Sequence, residues 1–167
     1  KAQYYLAVPA EEAFTAAADY TAVDAEIAKI PDVSIYTADS AKAFTDAVAA
    51  VNRSKKAVDQ VDVDAMAAAI KEAAANLKVA ITGVTLYVEA YTYDGKAKTP
   101  GLVVSAKAGQ HSYLLDEADY DVTYSDNVNA GTAKVTVTGK GEYVGTIEKT
   151  FKIAAKKITP AVTLSKT

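Results

Sequence analysis

Residues 76–86 read Asn76-Leu77-Lys78-Val79-Ala80-Ile81-Thr82-Gly83-Val84-Thr85-Leu86, and the spacing of apolar side chains changes inside them. Before Lys78 apolar residues return every three or four positions, the repeat of a helix face. After it Val84, Leu86 and Val88 fall at every second position, the repeat of a strand with one buried face. The 167-residue chain therefore divides near residue 80 into an α part and a β part. Glycine divides the same way: all eight glycines lie between Gly83 and Gly145. Glycine weakens helix interiors and supplies turns, so one half avoids it and the other uses it. No flexible Gly/Ser run separates the halves, and the last helix is expected to pass into the first strand through only a few residues.

Working upstream, three segments carry helical stripes. Tyr20, Val23, Ile27 and Ile30 make the first, ended by Pro31. Phe44, Val48 and Val51 make the second, and Val63, Met66, Ile70, Ala73, Ala74 and Leu77 the third. The spacing predicts helices over Thr21–Ile30, Asp39–Arg53 and Gln60–Leu77. Thr21, Thr37 and Asp59 are the expected N-caps, with acids in the first turns to suit the helix dipole. Tyr20 and Tyr36, before two of those caps, could pack back as staples. Residues 1–18 are a lead-in segment, with a helix expected at about 10–18 and Phe14 closing one end of the helical core.

Downstream, Ala133, Val135 and Val137 alternate with Lys134, Thr136 and Thr138, and Ile147, Phe151 and Ile153 share one parity. Turn chemistry punctuates the runs at Asp94-Gly95, Pro100-Gly101, Gly109, Asp126-Asn127 and Gly139-Lys140-Gly141. The expected fold class is multi-domain α plus β: a small antiparallel three-helix bundle over 19–80, then an immunoglobulin-like β-sandwich over 81–156. Ile81-Thr82-Gly83-Val84-Thr85-Leu86 is echoed by Ile158-Thr159-Pro160-Ala161-Val162-Thr163-Leu164. Residues 157–167 are accordingly either a linker or the opening of a next repeat.

Composition excludes several chemistries. With no cysteine there is no disulfide framework, thiol nucleophile or cysteine-ligated metal. One histidine, His111, rules out any mechanism that needs two imidazoles. A net charge of −3 gives no basic field for nucleic acid or an anionic membrane. No stretch reaches the ~20 apolar residues of a membrane span.

The remaining candidates are weak. Asp116-Glu117-Ala118-Asp119-Tyr120-Asp121 lacks the alternating oxygen ligands and the glycine of a calcium loop, and reads as a solvated loop leading into a strand. Asp126-Asn127-Val128-Asn129-Ala130-Gly131 puts Val128 where a ligand is needed and reads as a turn. His111 sits in a Gly-Gln-His-Ser run with no nucleophile elbow, the setting of an exposed loop histidine. Lys149 shares the inward parity of Ile147 and Phe151, so it marks a bulge, a side chain leaving by the sheet edge, a paired Lys149–Asp contact, or a Lys–Asn or Lys–Asp isopeptide cross-link. Tyr91 and Tyr93 flank the Asp94-Gly95 turn and are the ligand-binding candidates, rings that could meet a sugar or a protein. Tyr120, Tyr124 and Tyr143 read as packing residues. No catalytic or metal residues and no cofactor are assigned.

Asp19-Tyr20-Thr21-Ala22-Val23-Asp24-Ala25, Tyr36-Thr37 and Val63-Asp64-Ala65-Met66-Ala67-Ala68-Ala69-Ile70 resemble the FIVAR family, a region found in various architectures. Residues 83–154 resemble a bacterial Ig-like surface repeat. Tyr91-Thr92-Tyr93-Asp94-Gly95-Lys96, Asp119 through Asn127, Asn129 through Ala133, Gly139 through Ile147 and Lys149-Thr150-Phe151 carry that likeness. The resemblance implies a large, extracellular, cell-wall-associated protein of a Gram-positive bacterium, where such modules accompany adhesins and secreted glycan-active enzymes. It implies no catalytic residues, and neither family supplies a site for these positions. The expected function is a non-catalytic structural and adhesive spacer. The alternatives are a ligand-binding module for host glycan or matrix protein, and an accessory module of a secreted glycosidase. Expected partners are glycan or extracellular matrix protein and neighbouring repeats of the same chain. The fragment is expected to be a monomer, with no nucleic acid bound and no membrane insertion.

Overall fold

In the computed structural model, which describes residues 14–158, the chain separates into two units between Val79 and Ala80. Besides the helical Phe14 and Thr15, the described residues of the first form the α-helices α1 (Thr21–Ala28), α2 (Ala38–Ala49) and α3 (Gln60–Ala75), with 3-10 turns at Val33–Ile35 and Ala57–Asp59. The helices start within a residue of the positions read from the sequence and stop two to four residues sooner.

Side chains start them differently from expectation. The Asp19 carboxylate accepts from the Thr21 backbone N–H (2.8 Å) and hydroxyl (2.6 Å), so the capping oxygen of α1 comes from two residues upstream of Thr21. The Thr37 hydroxyl meets Ser40 Oγ at 2.8 Å instead of a backbone N–H. At α3 the amide of Gln60 does the joining. Its Oε1 accepts from the Asp19 N–H (2.8 Å), and its Nε2 donates to the Asp19 carbonyl (2.9 Å) and to Asp64 (3.0 Å). Tyr20 is anchored by its hydroxyl, which donates to the Asn52 carbonyl at 2.6 Å, while the Arg53 guanidinium lies over its ring and pairs with Asp24.

The expectation of an antiparallel three-helix bundle is overturned. α1 and α2 each pack on α3, but they do not share a packed face with one another. The reason lies in the burial pattern. Pro31 ends the first stripe early, so α1 is two turns long and fully buries one side chain, Val23. α2 likewise buries only Phe44, whereas α3 buries Val63, Ala67 and Ile70. One long helix thus carries the core, joined by Leu77 and Ala18, with two shorter helices on it. Phe14 does not close this core, being 67% exposed. Of the helix expected at 10–18, residues 10–13 lie outside the described residues and Phe14 and Thr15 are helical. Residues 16–18 run extended beside 55–57, with Ala17 bridged to Lys56.

α3 ends at Ala75 and β1 begins at Val79. The second unit contains β1 (Val79–Leu86), β2 (Ala90–Thr92), β3 (Leu102–Ala108), β4 (His111–Leu114), β5 (Tyr120–Ser125), β6 (Gly131–Gly139), β7 (Tyr143–Val144) and β8 (Thr146–Ala154). They form two four-stranded sheets, ordered β4-β3-β1-β7 and β2-β8-β6-β5. Ile81, Val84, Leu86 and Val104 from the first meet Ala133, Val135, Val137, Phe151 and Ile153 from the second in one apolar core. The alternation read at 133–137 is the buried face of β6.

The immunoglobulin-like sandwich is not what forms. The second sheet is mixed: β2 runs parallel to β8, pairing Ala90 with Lys152 and Thr92 with Ala154. β1 and β8 cross the unit in the same direction, since Gly145 lies against Ile81 at one end and the Lys152 N–H donates to the Glu89 carbonyl at the other. The link Tyr87-Val88-Glu89 carries β1 into β2 without reversing the chain, so β2 changes sheet and arrives parallel to β8. The architecture is α+β, without either expected fold.

Gly139 shows how tightly β6 turns toward β7. A Cβ there would sit 2.9 Å from the Tyr143 carbonyl group and the Val144 nitrogen, all backbone atoms that cannot swing aside. Gly139→Ala is expected to destabilise the β unit by about 1–3 kcal/mol through overpacking. A urea midpoint equal to that of the wild type would refute this close approach.

Candidate functional site

Tyr91 and Tyr93, the two sequence candidates, are separated by the fold. Tyr91 lies on β2 with its ring edge-to-face on Phe151, centroids 5.8 Å apart at 70°. The Lys98 ammonium stands over the same ring at 5.9 Å and is paired with Asp94. Lys98 holds the Asp94 carboxyl below the ordinary carboxylate range, assisted by the Lys96 backbone N–H. Asn127 completes this loop, donating from its amide to the Lys98 carbonyl (2.9 Å) and accepting the Lys98 N–H (2.7 Å) on its own carbonyl. The Tyr91 ring is therefore occupied by packing.

Tyr93 continues beyond β2, its N–H donating to the Ala154 carbonyl at 2.8 Å. It is 37% exposed and walls a mostly apolar hollow of about 350 Å³ with Asn129, Ala130, Ala155, Lys156 and Ile158. The turn before β6 includes Asp126 at φ 56°, a left-handed conformation that aspartate tolerates better than most residues.

A second hollow, of about 330 Å³, lies between the edge strand β5 and the chain entering β3. Glu117, Tyr120, Asp121 and Lys140 supply its polar wall, and Gly101 part of its floor. A 3-10 turn at Glu117–Asp119 delivers these residues from the acidic run into β5. Lys140 Nζ donates to Asp121 Oδ1 at 2.9 Å, and its backbone N–H donates to the Asp119 carbonyl. The Tyr124 hydroxyl donates to the Pro100 carbonyl at 2.7 Å. Burial pushes the Tyr120 phenol above its ordinary pKa, and the nearby Glu117 carboxylate adds to the shift.

The sequence reading missed this hollow. It read the acidic run as a solvated loop leading into a strand, and its reading of Tyr120 and Tyr124 as packing residues holds, since both belong to the β core, but it did not see that they also line this hollow. Among the described residues no three His, Cys, Asp or Glu side chains converge closely enough to hold a metal ion. His111 opens β4 as an exposed residue rather than sitting in a loop. Lys149 faces Val135 across the ladder yet is exposed, because β2 flanks β8 only over Lys152–Ala154 and leaves the edge open beside residue 149. Among the described residues no helix is long and apolar enough to cross a membrane. No protein-family model matches the chain, and no curated protein or solved structure is significantly similar to it.

Proposed function

We propose that this chain is a non-catalytic structural and adhesive spacer within an extracellular, cell-wall-associated bacterial surface protein. The observation that carries the reading is the path of the chain through the β unit. β1 begins beside Gly145 and β8 ends beside Thr92 and Gly131, so the chain enters at one end and leaves at the opposite one. At about 3.3 Å per residue, the nine residues of β8 span roughly 30 Å. Tension between neighbours would run along β1 and β8, parallel to the strands. Every hydrogen bond flanking them is then loaded together in shear, whereas a peeling load breaks them one by one. The echo of Ile81–Leu86 beginning at Ile158 supports a unit that recurs along a longer chain.

With no native cysteine, handles can be placed at chosen positions. Stretching between cysteines at Ala80→Cys and Ala155→Cys should give one cooperative rupture that releases the whole β unit. Stepwise release of β8 followed by the rest would contradict a load-bearing role.

A further inference from the structure

The hollow beside β5 is lined by a tyrosine whose hydroxyl finds no protein partner among the described residues. Tyr120 is 93% buried, since only 7% of it is exposed, and its hydroxyl has no hydrogen-bond partner among the described residues. That oxygen keeps some contact with solvent, because among the described residues no fully buried side-chain oxygen or nitrogen lacks a partner, and Tyr120 is one of the residues lining the hollow. A phenol buried this deeply ordinarily finds a partner.

Its surroundings are acidic and asymmetric. Asp121 is neutralised by Lys140. Glu117 lines the same hollow with no ion pair among the described residues, and the same holds for its neighbours Asp116 and Asp119. Counting Lys140, the group carries a net charge of −3, from four carboxylates and one ammonium. An exposed aromatic ring touches Gly101, which lines the hollow. The Tyr87 ring is 69% exposed and lies directly on Gly101, where a Cβ would come within 2.8 Å of the ring carbon Cδ2. The glycine lets the Cδ2–Cε2 edge of the ring approach the backbone, and the ring stays largely open to solvent.

An unpaired carboxylate, a free phenol oxygen and an open aromatic face suit an organic cation. The carboxylates do not converge as metal ligands would. A net negative wall disfavours anionic sugars and phosphates. We propose that this hollow receives the cationic head of an arginine or lysine side chain presented by a partner protein. Glu117 acts as counter-ion, the Tyr120 hydroxyl as acceptor and the Tyr87 ring as stacking face. The proposal rests on the adhesive part of the function above and names its chemistry. The stretching experiment reads the load-bearing part separately.

The test titrates the whole chain with acetyl-Gly-Arg-Gly-amide, its lysine counterpart, its uncharged citrulline counterpart and a neutral glucose trisaccharide. Amide NMR shifts are followed at Tyr120, Asp121 and Lys140. Saturable shifts with the arginine or lysine peptide, weakening as ionic strength rises, are expected. Glu117→Gln should weaken that binding about tenfold, equivalent to ~1.4 kcal/mol. Tyr120→Phe, which keeps the packing ring, should weaken it by a smaller factor, and Tyr87→Ala should cost severalfold. Equal binding of the citrulline peptide would overturn the ionic recognition. Binding of the trisaccharide in place of the peptides would assign the hollow to glycan, and no shifts with any ligand would remove it as a site. Each of those outcomes overturns the proposal, and unchanged amide spectra of the free variants exclude misfolding as the cause.

Discussion

Replacing Phe151 with alanine is expected to destabilise the β unit by about 3–5 kcal/mol, the range for a fully buried aromatic truncated in a core. The ring is 2% exposed and lies between two others, Tyr91 at 5.8 Å and Tyr124 at 6.5 Å, both edge-on. Such aromatic pairs contribute about 0.5–1.5 kcal/mol each beyond their buried area. Neither neighbour can collapse into the space. Tyr91 is held under Lys98, and the Tyr124 hydroxyl is tied to the Pro100 carbonyl at 2.7 Å. The cavity therefore persists, and the cost falls in the upper half of the range. Against a typical domain stability of ~5–15 kcal/mol, the loss is large enough to move a urea midpoint well outside error. A change below about 1 kcal/mol, read from amide signals of β6, would mean that Phe151 does not sit where the two sheets meet.

In the helical unit the corresponding position is Ile70, and Ile70→Ala should cost about 2–5 kcal/mol. Ile70 is 0% exposed and shares its cluster with Val23 of α1 and Phe44 of α2. Because those two helices meet mainly through α3, a hole at Ile70 removes the contact that each depends on. A true bundle would retain direct α1–α2 packing and lose less. Units this small bury a modest fraction of their surface, so the variant should lose much of its helical circular dichroism near 37 °C. Retention of wild-type helicity and an unchanged thermal midpoint would contradict the account of α3 as the shared support.

Much of this was legible locally. The change of period at Lys78 marks the passage from α3 to β1, and Ala133, Val135 and Val137 are the 0%-exposed face of β6. These are signals that a strand or helix writes into its own residues. What was not legible depends on partners distant in sequence. β2 is three residues long, too short for alternation to reveal that it crosses to β8 and pairs in parallel. The parity of Lys149 was read correctly, but its exposure depends on how far along β8 the β2 strand reaches. Asp19 caps α1 from outside the expected position because the Asx turn at Thr21 competes with capping by the threonine itself. The hollow beside β5 was hidden for the same reason: Tyr87, Gly101, Glu117 and Tyr120 meet only when the chain entering β3 is laid against β5.

The central claim is that the β unit bears load from one end to the other. Rupture forces in two pulling directions test it most directly, since forced unfolding reports the barrier along the direction pulled. Cysteines at Ala80→Cys and Ala155→Cys load β1 and β8 along their length. Cysteines at Ala130→Cys and Ala155→Cys load the same end of β6 and β8, where Gly131 faces Ile153, and unzip that ladder pair by pair. The end-to-end direction should resist a severalfold higher force than the unzipping direction. Equal forces, or a weaker end-to-end direction, would contradict the spacer reading.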